Sequence, residues 1–118
     1  MIVNIPVSVG ELLDKITILQ IKAERTDNEY VHKELQDLSQ IAKDLGVYFD
    51  DEIQRLKEVN QELWDIEDKL REHEKKWNFD DDFVDLARMV YFKNDKRACI
   101  KKEINIKTNS TYSKVKLY

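Results

Sequence analysis

Leu56, Val59, Leu63, Ile66 and Leu70 alternate by three and four residues, and no glycine or proline lies anywhere after Gly46. Such a stripe holds one face of a helix, whereas a strand would need alternation by two. The second half of the chain is therefore constrained to long helices, read as an antiparallel hairpin or a short coiled-coil seam. The third helix can extend as far as Trp77, a length of roughly 40 Å. With two glycines and one proline in 118 residues, and Lys, Glu, Asp, Leu and Ile throughout, the rest is also poorly suited to strands and tight turns.

Further helices follow from caps and periodicity. Ser8 and Glu11 form a capping box, and Val9, Leu12, Ile16, Leu19 and Ala23 then repeat as one buried stripe. Leu13, Ile18 and Ile21 lie outside that stripe, so the first helix is either central in the domain or at a subunit interface. Thr26 with Glu29, or Asp27, caps a second helix carrying Val31, Leu35, Leu38, Ala42 and Leu45, and Gly46 stands where a left-handed C-cap is expected. Asp50 caps the third helix. A break at residues 78–82 starts the fourth, which carries Phe83, Leu86, Ala87, Val90, Tyr91, Cys99, Ile100 and Ile104 and frays near Lys107, where Thr and Asn favour local hydrogen bonds. Trp64 and Trp77 read as core or interface anchors. The expected fold is a single all-α domain over residues 1–118, a four-helix antiparallel bundle with two long C-terminal helices and short extended terminal arms.

Charge is distributed unevenly. Residues 92–118 hold eight cations (Lys93, Lys96, Arg97, Lys101, Lys102, Lys107, Lys114, Lys116) against Asp95 and Glu103, while the whole chain carries −4. That separation points to an anionic partner. Lys93, Arg97 and Lys101 are spaced by four and line one helix face, with Asn94 and Asn105 beside it. Arg offers a planar fork for phosphate and Lys a mobile point charge, and Ser110 and Thr111 could add donors. Tyr112 and Tyr118 could stack on a ring. The same cations could instead complement the helix dipole or pair with acids of the third helix. An acidic pI of about 5.2 argues against a dedicated nucleic-acid binder.

Motifs for chemistry are absent. Asp50, Asp51 and Glu52, like Asp80 to Asp82, lack the arrangement of a calcium loop and read as helix caps. His32, His73 and Cys99 stand without partners at zinc spacing, so no metal site or cofactor is implied. Trp77 occupies the place of the second histidine in a zincin helix. No nucleophile elbow or glycine-rich phosphate loop occurs. A single cysteine suits a reducing compartment, no apolar run approaches the roughly 20 residues of a membrane span, and no signal peptide is read; a cytoplasmic setting is expected.

The opening IPVSVGELLDKITILQIKAER and the closing NDKR…KKEIN…S…KVKLY resemble a small all-helical family of unknown function found in bacteria and tailed phages, in bacteria sometimes near genes for surface polysaccharide assembly. The resemblance covers nearly the whole chain and is strongest over residues 10–25 and 94–118. It implies that the two ends matter together, with Asp14, Lys15, Lys22 and Arg25 able to meet Arg97 and Lys101 if the first and last helices are neighbours. A fainter likeness joins LLDKITILQIKAER, ending in Arg25, to the first helix of the helical chorismate mutases, a dicarboxylate-binding bundle for which Arg25 and Lys15 alone fall in place.

The functional expectation is a non-enzymatic homo-oligomer, dimeric or higher, that binds a small phosphorylated ligand such as a nucleotide, cyclic nucleotide or nucleotide sugar. Its site would comprise Lys93, Asn94, Arg97, Lys101, Asn105, Ser110, Lys116 and Tyr118 with Lys15, Lys22 and Arg25. In a phage such a protein would sequester a host immune signal. Alternatives are a protein–protein adaptor in surface-glycan assembly, marked by an exposed apolar patch on the first helix, and a chorismate-mutase-like isomerase.

Overall fold

A computed structural model describes residues 1–110, which form four α-helices and no strand. They are α1 (Val9–Ala23), α2 (Glu29–Asp44), α3 (Asp50–Lys75) and α4 (Asp81–Lys107). The all-helical bundle follows the apolar spacing, with the two longest helices last. Residues 1–7 are non-helical and leave Ile2, Val3, Ile5 and Val7 exposed. The expected C-terminal arm lies outside the described residues.

α3 and α4 form an antiparallel hairpin, and three ion pairs between them run in opposite chain directions: Glu52 with Lys107, Arg55 with Glu103, Glu62 with Lys93. α1 touches all three other helices and α2 packs on α1. The buried residues of α3 lie between Ile53 and Ile66, and those of α4 between Ile100 and Asn105. α1 and α2 thus cover only the base of the hairpin, and its tip projects beyond them.

The core joins Leu13 and Ile16 of α1, Ala42 of α2, Ile53, Leu56, Val59 and Leu63 of α3, and Ile100 and Ile104 of α4. Leu13 and Ile21, outside the expected stripe, are fully buried, whereas Val9, Leu12 and Ala23 are only partly so. Three neighbours rather than one explain this: α1 is the central helix. The buried Gly10 permits a close approach of α1 to α4, since a Cβ there would lie 2.7 Å from Asn105 Oδ1 and 2.8 Å from the Lys101 carbonyl.

Helix ends follow local chemistry, with four corrections. Ser8 Oγ accepts from the Glu11 amide at 3.1 Å, but the Glu11 carboxylate turns to Lys101 on α4. Asn28, not Thr26 or Asp27, caps α2 by accepting from the Tyr30 and Val31 amides. α3 begins with Phe49 at the N-cap and no side-chain cap bond; Phe49 packs against the core and under Lys107, so Asp50 falls inside the first turn and acts on the dipole instead. Asp80 caps α4 through the Phe83 amide. Gly46 adopts φ +70° just past the α2 C-cap, as its position predicts. α3 stops at Lys75 rather than reaching Trp77, and Trp77 is not a core anchor: it is 77% exposed.

Candidate functional site

Asp14 is the centre of a buried polar network. It stands on the inward face of α1, 2% exposed. Its Oδ1 accepts from Asn60 Nδ2 on α3 at 2.9 Å and from Arg97 Nε on α4 at 3.0 Å. Its Oδ2 accepts from Arg97 Nη2 at 2.5 Å and lies 3.7 Å from Lys101 Nζ. Asn60 also donates to Thr17 Oγ1, which in turn donates to the Asp14 carbonyl. Three helices are thereby pinned at one carboxylate. Burial pushes the Asp14 carboxyl up, yet the hydrogen bonds from Arg97 and Asn60 and the charges of Arg97 and Lys101 outweigh it and hold the pKa below the ordinary value. The bond to Asp14 likewise raises Arg97.

The network continues as a clasp along the start of α1. Lys101, 6% exposed, pairs with Glu11. Asn105 Oδ1 accepts from the Gly10 amide at 2.8 Å, and Ser110 Oγ accepts from the Val9 amide at 3.2 Å. Two α1 amides that have no intrahelical partner are satisfied by α4 and the turn that follows it.

Beside the network opens a cleft of about 280 Å³, between α1, α3 and α4. Ile18, Ile21 and Leu63 give it an apolar wall, and Asn60 and Arg97 join it to the Asp14 network; Trp64, Glu67, Arg71 and Asn94 complete the lining. Nε and Nη2 of Arg97 are engaged by Asp14, but Nη1 makes no hydrogen bond among the described residues. The half-buried Asn94 amide and Glu67 carboxylate also have no partner there. Arg25 stacks over Trp64 at 4.8 Å and approaches Asp65 at 3.8 Å.

The residues singled out in the sequence therefore separate. Arg97 and Asn94 line the cleft, and Arg25 adjoins it through Trp64. Lys101, Asn105 and Ser110 belong to the clasp. Lys93 pairs with Glu62 at 2.5 Å, Lys15 with Glu34 at 3.5 Å, and Lys22 is exposed on α1. Lys116 and Tyr118 lie outside the described residues. The first and last helices are neighbours, and Asp14 of α1 does meet Arg97 and Lys101. Asn60, Thr17, Glu67 and Arg71 were not anticipated as a group. One signal was present: Asn60 interrupts the apolar run of α3 between Val59 and Leu63, a position where an unpartnered amide would be costly.

The architecture defines a small α-helical bundle with a solvent-open cleft built against a buried ion-pair network, and no described helix is long and apolar enough to cross a membrane. The chain belongs to a family of unknown function, DUF6165, whose profile matches residues 1–118. No curated protein and no solved structure matches it.

Proposed function

We propose that the cleft between α1, α3 and α4 binds a small phosphorylated ligand, and that the protein acts as a binder rather than an enzyme. The observation that carries this reading is Arg97. Its guanidinium is fixed on one edge by Asp14 and lines the cleft with Nη1 uncommitted. A guanidinium oriented in advance loses little freedom on meeting a phosphate oxygen. Arg71 supplies a second cation from the rim, and Asn94 and Glu67 offer a donor–acceptor pair for a ring bearing amide or amino groups.

Size and charge narrow the ligand. A volume of about 280 Å³ is at the lower end for ligand pockets, which suits a mononucleotide or the nucleoside end of a nucleotide sugar. Asp14 offsets Arg97, and Arg71 lies 3.6 Å from Asp68 with Glu67 also on the cleft, so one phosphate is favoured over a polyphosphate chain. Lys101 is not assigned to the ligand, because Glu11 and Asp14 already hold it.

Thermal-shift titration against nucleoside monophosphates, cyclic mononucleotides and nucleotide sugars tests the proposal, since a ligand that binds only the native state raises its stability. Arg71→Ala and Asn94→Ala are the informative variants, because Arg97 also maintains the fold. A stabilising ligand whose effect falls in both variants supports the reading. Stabilisation retained in both places the ligand elsewhere, and no stabilisation by any phosphorylated compound rejects the function.

A further inference from the structure

At the tip of the hairpin, α3 ends in a turn that conflicts with its sequence. The Trp77 amide donates to the Glu74 carbonyl and the Asn78 amide to the His73 carbonyl, the bond pair that closes a helix through a left-handed residue. That residue is Trp77, at φ +54°. Glycine takes this conformation without strain, whereas a bulky side chain there is a genuine outlier. Nothing in the core benefits, since Trp77 is 77% exposed. Its ring instead heads an aromatic row, edge-on to Phe79 at 5.3 Å, with Phe79 edge-on to Phe83 at 5.1 Å and Phe83 beside His73.

The row ends at His73, which also lines a groove of about 420 Å³ between the outer ends of α3 and α4. Leu86 and Met89 contribute apolar lining, and Lys69, His73 and three carboxylates, Glu72, Asp82 and Asp85, complete it. Glu72 shares Lys76 at 3.7 Å, but Asp82 and Asp85 have no partner among the described residues. Strained backbone that holds an exposed aromatic side chain outward points to use in recognition, and Trp is enriched among the residues that anchor interfaces.

We propose that the hairpin tip, from Trp77 and Phe79 along the Leu86/Met89 groove, docks a basic amphipathic helix of a partner protein. The apolar face of such a helix fills the groove while its Lys and Arg side chains meet Asp82, Asp85 and Glu72. Charge excludes the competing occupants: an acidic rim repels anionic lipid and nucleic-acid phosphates. A second copy of this chain has fewer cations to offer, because Lys93, Arg97, Lys101 and Lys107 of α4 pair with their own carboxylates and leave Lys96 and Lys102 exposed; it is the alternative occupant that the test decides. The groove shares no lining residue with the ligand cleft, so this inference does not rest on the proposed ligand.

The test titrates the full chain into a labelled synthetic helix of Leu and Lys in heptad order, read by fluorescence anisotropy, with a scrambled peptide of the same composition as control. The expected result is preference for the heptad peptide, weakened about tenfold or more by Trp77→Gly and also by Asp82→Lys with Asp85→Lys. Trp77→Gly should leave the melting temperature equal or higher, because glycine suits the left-handed position. Equal binding of the scrambled peptide, or undiminished binding by either variant, overturns the proposal. So does sedimentation showing self-association that Trp77→Gly abolishes, which would make the occupant a second copy.

Discussion

The Gly10 amide donates to Asn105 Oδ1 at 2.8 Å, and a Cβ on Gly10 would lie 2.7 Å from that same oxygen. The contact that closes α1 onto α4 and the absence of a side chain are one requirement. Gly10→Ala would normally favour a helix. Here it should destabilise by about 1–3 kcal/mol, since the Lys101 carbonyl is backbone and cannot move alone. Urea denaturation of Gly10→Ala beside Asn105→Ala checks this. Combining the two substitutions should relieve the Asn105 part of the clash, so their effects should fall short of additive.

Gly46 gives the opposite case. Its φ is +70°, but nothing lies within 4 Å of where a Cβ would be. Gly46→Ala should therefore cost only the backbone term, about 1 kcal/mol, and Gly46→Asn less. A melting temperature lowered more by Gly46→Asn than by Gly46→Ala would show that space rather than conformation limits this turn.

Asp14→Asn should be among the most damaging single changes in the chain. It keeps the shape but leaves Arg97 and Lys101, both partly or fully buried, without their shared carboxylate. Breaking a buried pair from one side costs about 3–5 kcal/mol. Asp14→Leu with Arg97→Met removes the charges together and should recover much of that loss, leaving Lys101 to Glu11. A double-mutant cycle in denaturant measures the coupling; independent effects would mean that the pair does not hold the helices.

Apolar spacing and breakers made the helices legible, because each element buries a face through local periodicity. The seam of α3 from Leu56 to Ile66 and the stop at Thr108 are of this kind. Which cations are spent inside the fold was less legible. Lys93, Arg97 and Lys101 line one face by spacing, yet Lys93 turns to Glu62 while the other two turn to α1. That division depends on how α1 crosses the hairpin. Asp14 was named from α1, but its role needed Asn60, whose partners lie 46 and 43 residues away. Trp77 was misplaced because an apolar residue continuing the register looks like core; the two carbonyl bonds that close α3 override the register.

Acid should release the Asp14 network in a defined direction. Its folded pKa lies below the ordinary 3.8, so between the two values the native state binds fewer protons than the unfolded chain, and stability rises with pH. The contribution is complete above the ordinary value and disappears as pH falls through the lowered one. Arg97, whose pKa is raised further by its bond to Asp14, remains charged throughout and adds no slope near neutrality. Stability measured from pH 7 down to 2 should therefore decline more steeply in the wild type than in Asp14→Asn, which starts lower and lacks this proton. Asn60→Leu removes one of the bonds that hold the carboxylate, so its acid midpoint should move to higher pH, with a loss of about 1–3 kcal/mol at neutrality. An unchanged wild-type slope in Asp14→Asn would assign the acid sensitivity to surface carboxylates such as Glu52 and Glu103, whose pKa values are also lowered by their basic partners.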